Sequence, residues 1–415
     1  MFALVDCNNF FVSCERIFNP KLERKPVIVL SNNDGCVIAR SNEAKALGIR
    51  MAQPMFELTT LIKQHDVQWL SSNYTLYASM SQRMMQCIQA HCAEVDVYSI
   101  DEAFVCFAMH PDAAFTSAKK LREVITQWTG IPVSIGLGAT NTLAKAANSI
   151  AKKTAAGVYL LNHEARETIF QQFPVGEVWG IGRSSNATLQ DLGIRTIHDL
   201  LQRPRAWLRQ QFSLSMEETV LELQGVSCIG LEELVSKKAI QSSRSFSRSI
   251  TDLQELSSAL SMYVATAAEK LRAQHGLAQS LCISVSTSRF KPGKDYYAKQ
   301  KTIALSYPSQ DTRALTGYAL TLLKALYQPG FSYHKCGVVL LDIIPEQHRQ
   351  MDLFGDVDHT EQASLMQVYD TINHKYGRST IRLASEGFKK GWASRSHKRS
   401  PNYTTQWDNL AVVLA

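Results

Sequence analysis

The sequence predicts an α+β protein built from several domains. Three observations carry that expectation. Short β-branched strand runs alternate with amphipathic stretches over residues 2–153, residues 163–235 lack strand signals, and residues 243–344 return to alternating strands and helices. At 415 residues, about two to four domains are expected. An apolar content of 45% supports real cores, and 20% charged residues argues against bulk disorder. No stretch approaches the roughly 20 apolar residues of a membrane span. The N-terminus has no basic region before its apolar run, so no signal peptide is expected. Nine cysteines without CxxC spacing speak against a zinc ribbon or a disulfide framework and fit reduced thiols in a cytosol. A formal charge of +7 permits a polyanionic partner without requiring one.

Taken in order, residues 2–7 read as a strand and Pro26–Leu30 as a second apolar run, followed by the turn-rich SNNDG. Residues 41–48 look helical and stop at Gly48, and 74–92 carry Leu76, Met80, Met84 and Ile88 at helical spacing. A strand pair surrounds Asp101. Residues 111–128 form an amphipathic helix with Ala114, Ala118, Leu121, Ile125 and Trp128 on one stripe. PVSIGLG (132–138) reads as a strand, and a helix over about 141–153 follows, capped by Thr140 or Asn141.

Two acidic segments stand out. Asp6 closes the first apolar run, and Asp101-Glu102 lie within VDVYSIDEAFVCF. A buried unpaired carboxylate costs several kcal/mol, so strand-borne acids need a partner. The other acidic pairs, Glu217-Glu218 and Glu232-Glu233, sit in polar stretches and read as solvated. Magnesium takes oxygen ligands, and three carboxylates converging from two strands would suit a pair of ions about 3.5–4 Å apart, the arrangement of in-line phosphoryl or nucleotidyl transfer.

Within VWGIGRSSNATLQDLGIRTIHDLL (178–201), Gly180 and Gly182 bracket Ile181 ahead of a helix, presenting backbone N–H groups to a phosphate beside Arg183. Leu189, Leu192, Ile194, Ile197 and Leu200 would seal the helix pair. The pattern fits a DNA-backbone-binding helix-hairpin-helix or an ordinary helix-turn-helix packing unit. Glu232–Gln241, with Lys237-Lys238, reads as a linker. Strands at 243–250, 281–287, 301–307 and 335–344 and helices at 252–274 and 312–327 give β-α-β-β-α-β, a split ferredoxin-like unit. Arg244, Arg248, Arg289, Lys291, Lys294, Lys299 and Lys301 are expected to make one face positive, for DNA or simply for solvent. QMDLF (350–354) is a short linear-looking segment. Lys389, Lys390, Arg395, Lys398 and Arg399 suggest a basic tail that either stays unpacked or docks on an anion.

Together, MFALVDCNNFF, VLSNNDGCVIARSNEAKALG, SSNYTLYASMS, YSIDEAF, TLAKAANSIAKK, VWGIG and QMDLF resemble the Y-family (translesion) DNA polymerases, and among them the UmuC type, the catalytic subunit of bacterial DNA polymerase V. The resemblance spans nearly the whole chain and implies a right-hand polymerase. Its palm would be ferredoxin-like (1–20 and 70–165), with small fingers at 21–69 and a helical thumb with helix-hairpin-helix at 166–235. A βαββαβ little finger at 240–345 and a C-terminal extension at 346–415 would complete it.

It also implies catalytic and metal-binding roles for Asp6, Asp101 and Glu102, with the Cys7 carbonyl as a further ligand, and two Mg²⁺ per site replaceable by Mn²⁺. Phe11 would be the steric gate under the sugar, where related chains often carry tyrosine, with Phe10 beside it. Lys45 stands where the family has a finger arginine, and Lys152 matches a palm lysine that reaches the triphosphate. Ala39 and Asn42 replace a family threonine and tyrosine, Arg40 is a possible compensating cation, and Lys145 is a further candidate. Gly180, Gly182, Arg183, Arg244, Arg248, Arg289 and Lys291 would grip DNA, and Gln350, Leu353 and Phe354 would bind a sliding clamp.

The implied activity is error-prone translesion synthesis in the SOS response. Primer-template DNA, dNTP, a UmuD′-like homodimer, a RecA filament and the clamp are the implied partners, and the bacterial cytoplasm, at the nucleoid, the implied location. A two-metal nuclease or cyclase on a similar palm, or a non-catalytic DNA-binding scaffold, are the competing readings.

Overall fold

In the computed structural model, which describes residues 1–230, 236–289, 295–349, 359–388 and 390–410, the first apolar run forms β1 (Phe2–Cys7), the middle strand of a five-stranded sheet. Asn9, in the left-handed region at φ 51, turns the chain into α1 (Phe10–Phe18). An insertion follows: β2 (Val27–Leu30), β3 (Val37–Arg40), α2 (Asn42–Ala46), α3 (Met55–Gln64) and β4 (Gln68–Ser71). It makes a separate sheet of order β3-β2-β4 around Ile28, Leu30, Val37, Ile49 and Leu58.

The first sheet resumes with α4 (Tyr74–His91), β5 (Glu94–Val97), β6 (Glu102–Cys106), α5 (Pro111–Thr129), β7 (Val133–Gly138), α6 (Asn141–Ala151) and β8 (Val158–Leu160). Its order, β5-β6-β1-β7-β8, with antiparallel pairs except β7 to β8, is the ferredoxin-like arrangement with one strand added. Burial of Ala3, Val5, Leu76, Met80, Met84, Val105, Ala118, Ile125 and Ile135 seals helices α4 and α5 on it. Trp128 departs from the expected stripe. In the last turn of α5 its ring is 63% exposed, set edge-on to His91 at 5.1 Å.

Helix α6 lies on the other side, and two glycines set its distance. A Cβ at Gly136 would stand 2.0 Å from Asn148 N, and one at Gly138 2.7 Å from Ala144 N. Only hydrogen at these positions lets helix and strand approach so closely. Buried Asn148 then donates to the carbonyls of Ser134 (2.8 Å) and Leu4 (3.2 Å), fixing α6 to β1 and β7.

Five helices follow: α7 (His163–Gln172), α8 (Arg183–Asp191), α9 (Ile197–Leu201), α10 (Arg205–Gln211) and α11 (Leu214–Gln224). Leu189, Ile194, Ile197 and Leu200 are buried between them. Leu192 is not. It caps the end of α8 and is 43% exposed, because the helix has already turned it outward. These elements and residues 397–410 belong to one compact unit, Met1–Glu232 with His397–Ala415.

The second unit, Glu233–Ser396, contains β9 (Ile240–Ile250), α12 (Leu253–Ala273), β10 (Gly276–Thr287), β11 (Ala298–Ser309), α13 (Thr312–Leu326), β12 (Tyr333–Leu341), the short β13 (Ile344–Pro345) and α14 (His359–Tyr376). The element order is βαββαβ, but the main sheet runs β11-β10-β12-β9, so β12 rather than β11 enters between β9 and β10. Alternating hydrophobicity identifies strands; it does not specify which neighbour they choose.

The register also relocates the expected cations. Arg244 and Lys299 end a row through Cys336 and Val285, whose side chains lie in the core, so both belong to the helix-covered side of the sheet. Lys301 ends the next such row, beside Ile283. Arg248 is ion-paired with Glu255 at the start of α12. The opposite face carries Gln300, Ser284, Gly337 and Ser243 in one row and Ser286, Lys335 and Ser245 in the next. It is hydroxyl-rich rather than strongly charged.

The C-terminal region corrects the expectation of an unpacked or anion-docked tail. Trp392 is fully enclosed against Phe246 and Tyr263 in the second unit, and residues 398–403 pack within the first. Lys291, Lys294, Gln350, Leu353, Phe354, Lys389 and residues 232–235 of the expected linker lie outside the described residues.

Candidate active site

Antiparallel pairing of β1 with β6 places Asp6 directly opposite Glu102. The backbone N–H of Cys7 donates to the Asp101 carbonyl at 2.9 Å, holding the third acidic position at the same strand end. Asp6 is 5% exposed. Burial and the neighbouring Glu102 carboxyl push its pKa up to about 7 against the opposing pull of Lys152.

Two lysines of α6 meet these acids. Lys152, capping its C-terminal end, donates to Asp6 Oδ2 at 2.7 Å, and Lys145 donates to Glu102 Oε2 at 3.1 Å. Lys145 also lies over the ring of Tyr98 (4.1 Å) and near that of Trp179 (5.2 Å), while Trp179 Nε1 donates to Tyr98 Oη at 3.1 Å. The ammonium is therefore held between a carboxylate and an aromatic box. Trp179 and Tyr98 lie in the VWGIG and YSIDEAF segments, but no pattern joins them, because a box built from a turn and a distant loop has no sequence period.

The Asp101 carboxylate turns to Ser99, whose Oγ donates to it at 2.8 Å. Among the described residues, no group of three His, Cys, Asp or Glu side chains is drawn together closely enough to hold an ion. The expected three-carboxylate cage is thus only partly drawn together: Asp6 and Glu102 face each other, and Asp101 is beside them through its backbone. The donors are all hard oxygens, and the side chains now answering them are two ammonium groups and a hydroxyl. Such a set suits a hard divalent cation.

A cleft of about 380 Å³ opens beside Asp6, Cys7 and Asp101, with Phe11, Arg40, Lys45 and Lys152 on its walls. Lys45 is held below its ordinary pKa by burial and by Arg40 and Lys152 nearby, so three cations crowd one wall. Arg40 spends part of its guanidinium on the Ile49 carbonyl. Phe11 is half-buried, with one face stacked on Tyr77 at 4.4 Å, whereas Phe10 also belongs to the hydrophobic core.

Elsewhere, Gly180 has φ +89 and Gly182 precedes α8 with open space around it, leaving Arg183 exposed on the first turn. Arg289 covers the Tyr296 ring at 4.8 Å. Arg244 opens onto a groove of the second unit walled by Lys270, Arg272, Asp370 and His374. No helix among the described residues is long and apolar enough to cross a membrane.

Residues 5–149 match the impB/mucB/samB family, residues 237–353 its C-terminal domain, and residues 363–413 a domain of unknown function. Protein UmuC of Salmonella typhimurium is 38% identical over 421 residues, covering 100% of each chain. A DNA polymerase IV of Corynebacterium diphtheriae is 36% identical over 201 residues, 47% of this chain and 44% of that one. Among solved structures, a Y-family DNA polymerase chimera of Dbh and Dpo4 superposes with a TM-score of 0.66 at 21% identity, covering 83% of this chain and 100% of that one. The chain belongs to the impB/mucB/samB family, with protein UmuC among its full-length relatives, and its fold is that of the Y-family DNA polymerases.

Proposed function

We propose that this chain, a DNA-directed DNA polymerase of error-prone translesion synthesis, performs templated nucleotidyl transfer at the cleft bounded by Asp6, Asp101, Phe11 and Lys152. The observation that carries the assignment is the confrontation of Asp6 and Glu102 across two strands, each answered by a lysine of α6. Family membership implies a divalent metal. Mg²⁺, two per site with Mn²⁺ as substitute, is the specific reading, with Asp6, Asp101, Glu102 and the Cys7 carbonyl as its holders. When bound it would acidify the primer 3′-hydroxyl and neutralise charge on the triphosphate.

The protein's own groups then position the reactants, and in this chemistry positioning and electrostatics supply most of the rate. The primer 3′-oxygen bonds to the α-phosphorus of the dNTP, the bond to the bridging oxygen breaks, and pyrophosphate departs. Lys152, Lys45 and Arg40, gathered on one wall, provide positive charge for the phosphates. Phe11 supplies an apolar floor for the sugar, on which a ribose 2′-hydroxyl would collide.

DNA would lie along the turn at Gly180–Arg183 and on the second unit. There the hydroxyl-rich sheet face and Lys335 are better placed than Arg244 or Arg248. A UmuD′-like homodimer, a RecA filament and a sliding clamp are proposed partners on the strength of the family relationship, and the bacterial cytoplasm is the proposed location. Asp101→Asn and Glu102→Gln should abolish primer extension while retaining fold and DNA affinity. Full turnover by either variant in Mg²⁺ would refute the assignment.

A further inference from the structure

We infer that the C-terminal segment Lys398–Tyr403 holds the ring of Phe11 in position, acting through Ser400, Glu15 and Tyr77. The inference rests on the reading of Phe11 as the sugar-facing gate. Phe11 and Glu15 sit one helical turn apart on α1, so they share a face. The ring of Tyr77 lies flat against Phe11, 4.4 Å away with 14° between planes, and Tyr77 itself does not line the cleft. Tyr77 Oη donates to Glu15 Oε1 at 2.7 Å, and Ser400 Oγ donates to the same oxygen at 3.0 Å.

Glu15 is only 2% exposed and forms no ion pair among the described residues. A buried carboxylate satisfied by two hydroxyls depends on both.

The segment is seated firmly enough to act as a support. Ser71 N–H donates to the Lys398 carbonyl and Lys398 N–H to Ser71 Oγ, each at 3.0 Å. Fully buried Asn73, which caps α4 by accepting from the Leu76 N–H, donates to the carbonyls of Ser400 (2.9 Å) and Pro401 (3.1 Å). Arg399 donates to Asn73 Oδ1 at 3.1 Å. Tyr403 stacks on Phe18 at 4.8 Å. The segment thus clamps the start of the helix that carries Tyr77 and the end of the helix that carries Phe11. Gating by collision demands sub-ångström placement, since a shift of about 1 Å can cost on the order of a hundredfold. Ser400, Glu15 and Tyr77 are therefore positioning residues, and a segment within residues 363–413, which match a domain of unknown function, acquires a role in sugar choice.

The test is the ratio of dNTP to rNTP incorporation by the full chain in single-turnover primer extension. Ser400→Ala and Tyr77→Phe should each lower that ratio about fivefold, the equivalent of one hydrogen bond, and Ser400→Thr should restore it. A merely structural loss would slow both nucleotides together and leave the ratio unchanged, which would overturn the inference. Phe11→Ala separates the two claims. If it collapses the ratio while Ser400→Ala and Tyr77→Phe do not, the support is refuted and the gate stands. If Phe11→Ala leaves the ratio unmoved, the gate reading fails and the inference falls with it.

Discussion

Lys145 and Lys152 stand seven residues apart at one face of α6, and each reaches a different member of the opposed pair, Glu102 and Asp6. Seven residues is close to two helical turns, so one helix delivers both ammonium groups along a single line about 10 Å long. The strand pairing supplies the acids and the helix supplies their counter-charges.

Lys145 is expected to matter through Glu102. Lys145→Met keeps much of the stem that packs on Tyr98 and Trp179 but removes the charge facing the carboxylate. Single-nucleotide incorporation should fall by roughly 10–100-fold, the usual cost of losing a group that orients a ligand side chain. DNA affinity should be unaltered. Wild-type incorporation by Lys145→Met would disprove this role.

Gly136→Ala should be disruptive although it adds one methyl group. The new Cβ meets backbone of α6, which cannot swing aside as a side chain would. The helix must lift and carry both lysines away from their acids. We expect about 1–3 kcal/mol or more of destabilisation, as for overpacking elsewhere, together with lost activity. Urea unfolding alongside primer extension would check both. Unchanged stability would mean that α6 does not lie this close to β7.

Glu15 should make stability depend on pH. Burial lifts its pKa above the ordinary value, against hydrogen bonds from Tyr77 and Ser400 that pull it down. A carboxyl with a folded-state pKa above its unfolded one stabilises the fold when protonated. That contribution is complete below the unfolded value, about 4.3, and is lost as pH rises through the folded value. Glu15→Gln cannot titrate and escapes the loss. The Tm of the variant minus that of the parent should therefore become more positive as pH rises above about 4.3. A difference that stays constant across this range would contradict the burial argument.

Trp392→Ala should destabilise the second unit by about 3–5 kcal/mol, the range for a large aromatic lost from a core. Its ring lies 6.0 Å from that of Phe246 and 5.9 Å from that of Tyr263. Chemical denaturation followed by tryptophan fluorescence and circular dichroism would register it. A change within experimental error would show that the C-terminal region is not part of that core.

The carboxylates were legible because acids inside strand-forming runs are costly, and the cost itself signals a partner. Helix α6 was legible from its period and from Thr140, which caps it by accepting the Leu143 N–H. The faces of Arg244 and Arg248 were not. Strand β9 loses register against β12 between Ser245 and Ile250, and alternation cannot be counted through such an irregularity. Nor could composition reveal the packing of the basic C-terminal stretch, since the enclosed Trp392 and the half-buried Ser400 are isolated among exposed cations. Glu15 finds Tyr77 62 positions later and Ser400 385 positions later, separations at which no local pattern survives.

That last separation governs how the chain can be born. Asn73 leaves the ribosome more than three hundred residues before Ser400, the acceptor of its side-chain amide. The N-terminal strands and helices can assemble during synthesis, yet the cap of α4 and the Glu15 carboxylate remain short of their partners throughout. Closing so long a loop costs only a little more entropy than closing one half its length, so the wait, not the search, is the burden. A message truncated before codon 398 would yield a polymerase with every residue proposed for catalysis present and its first unit unfinished.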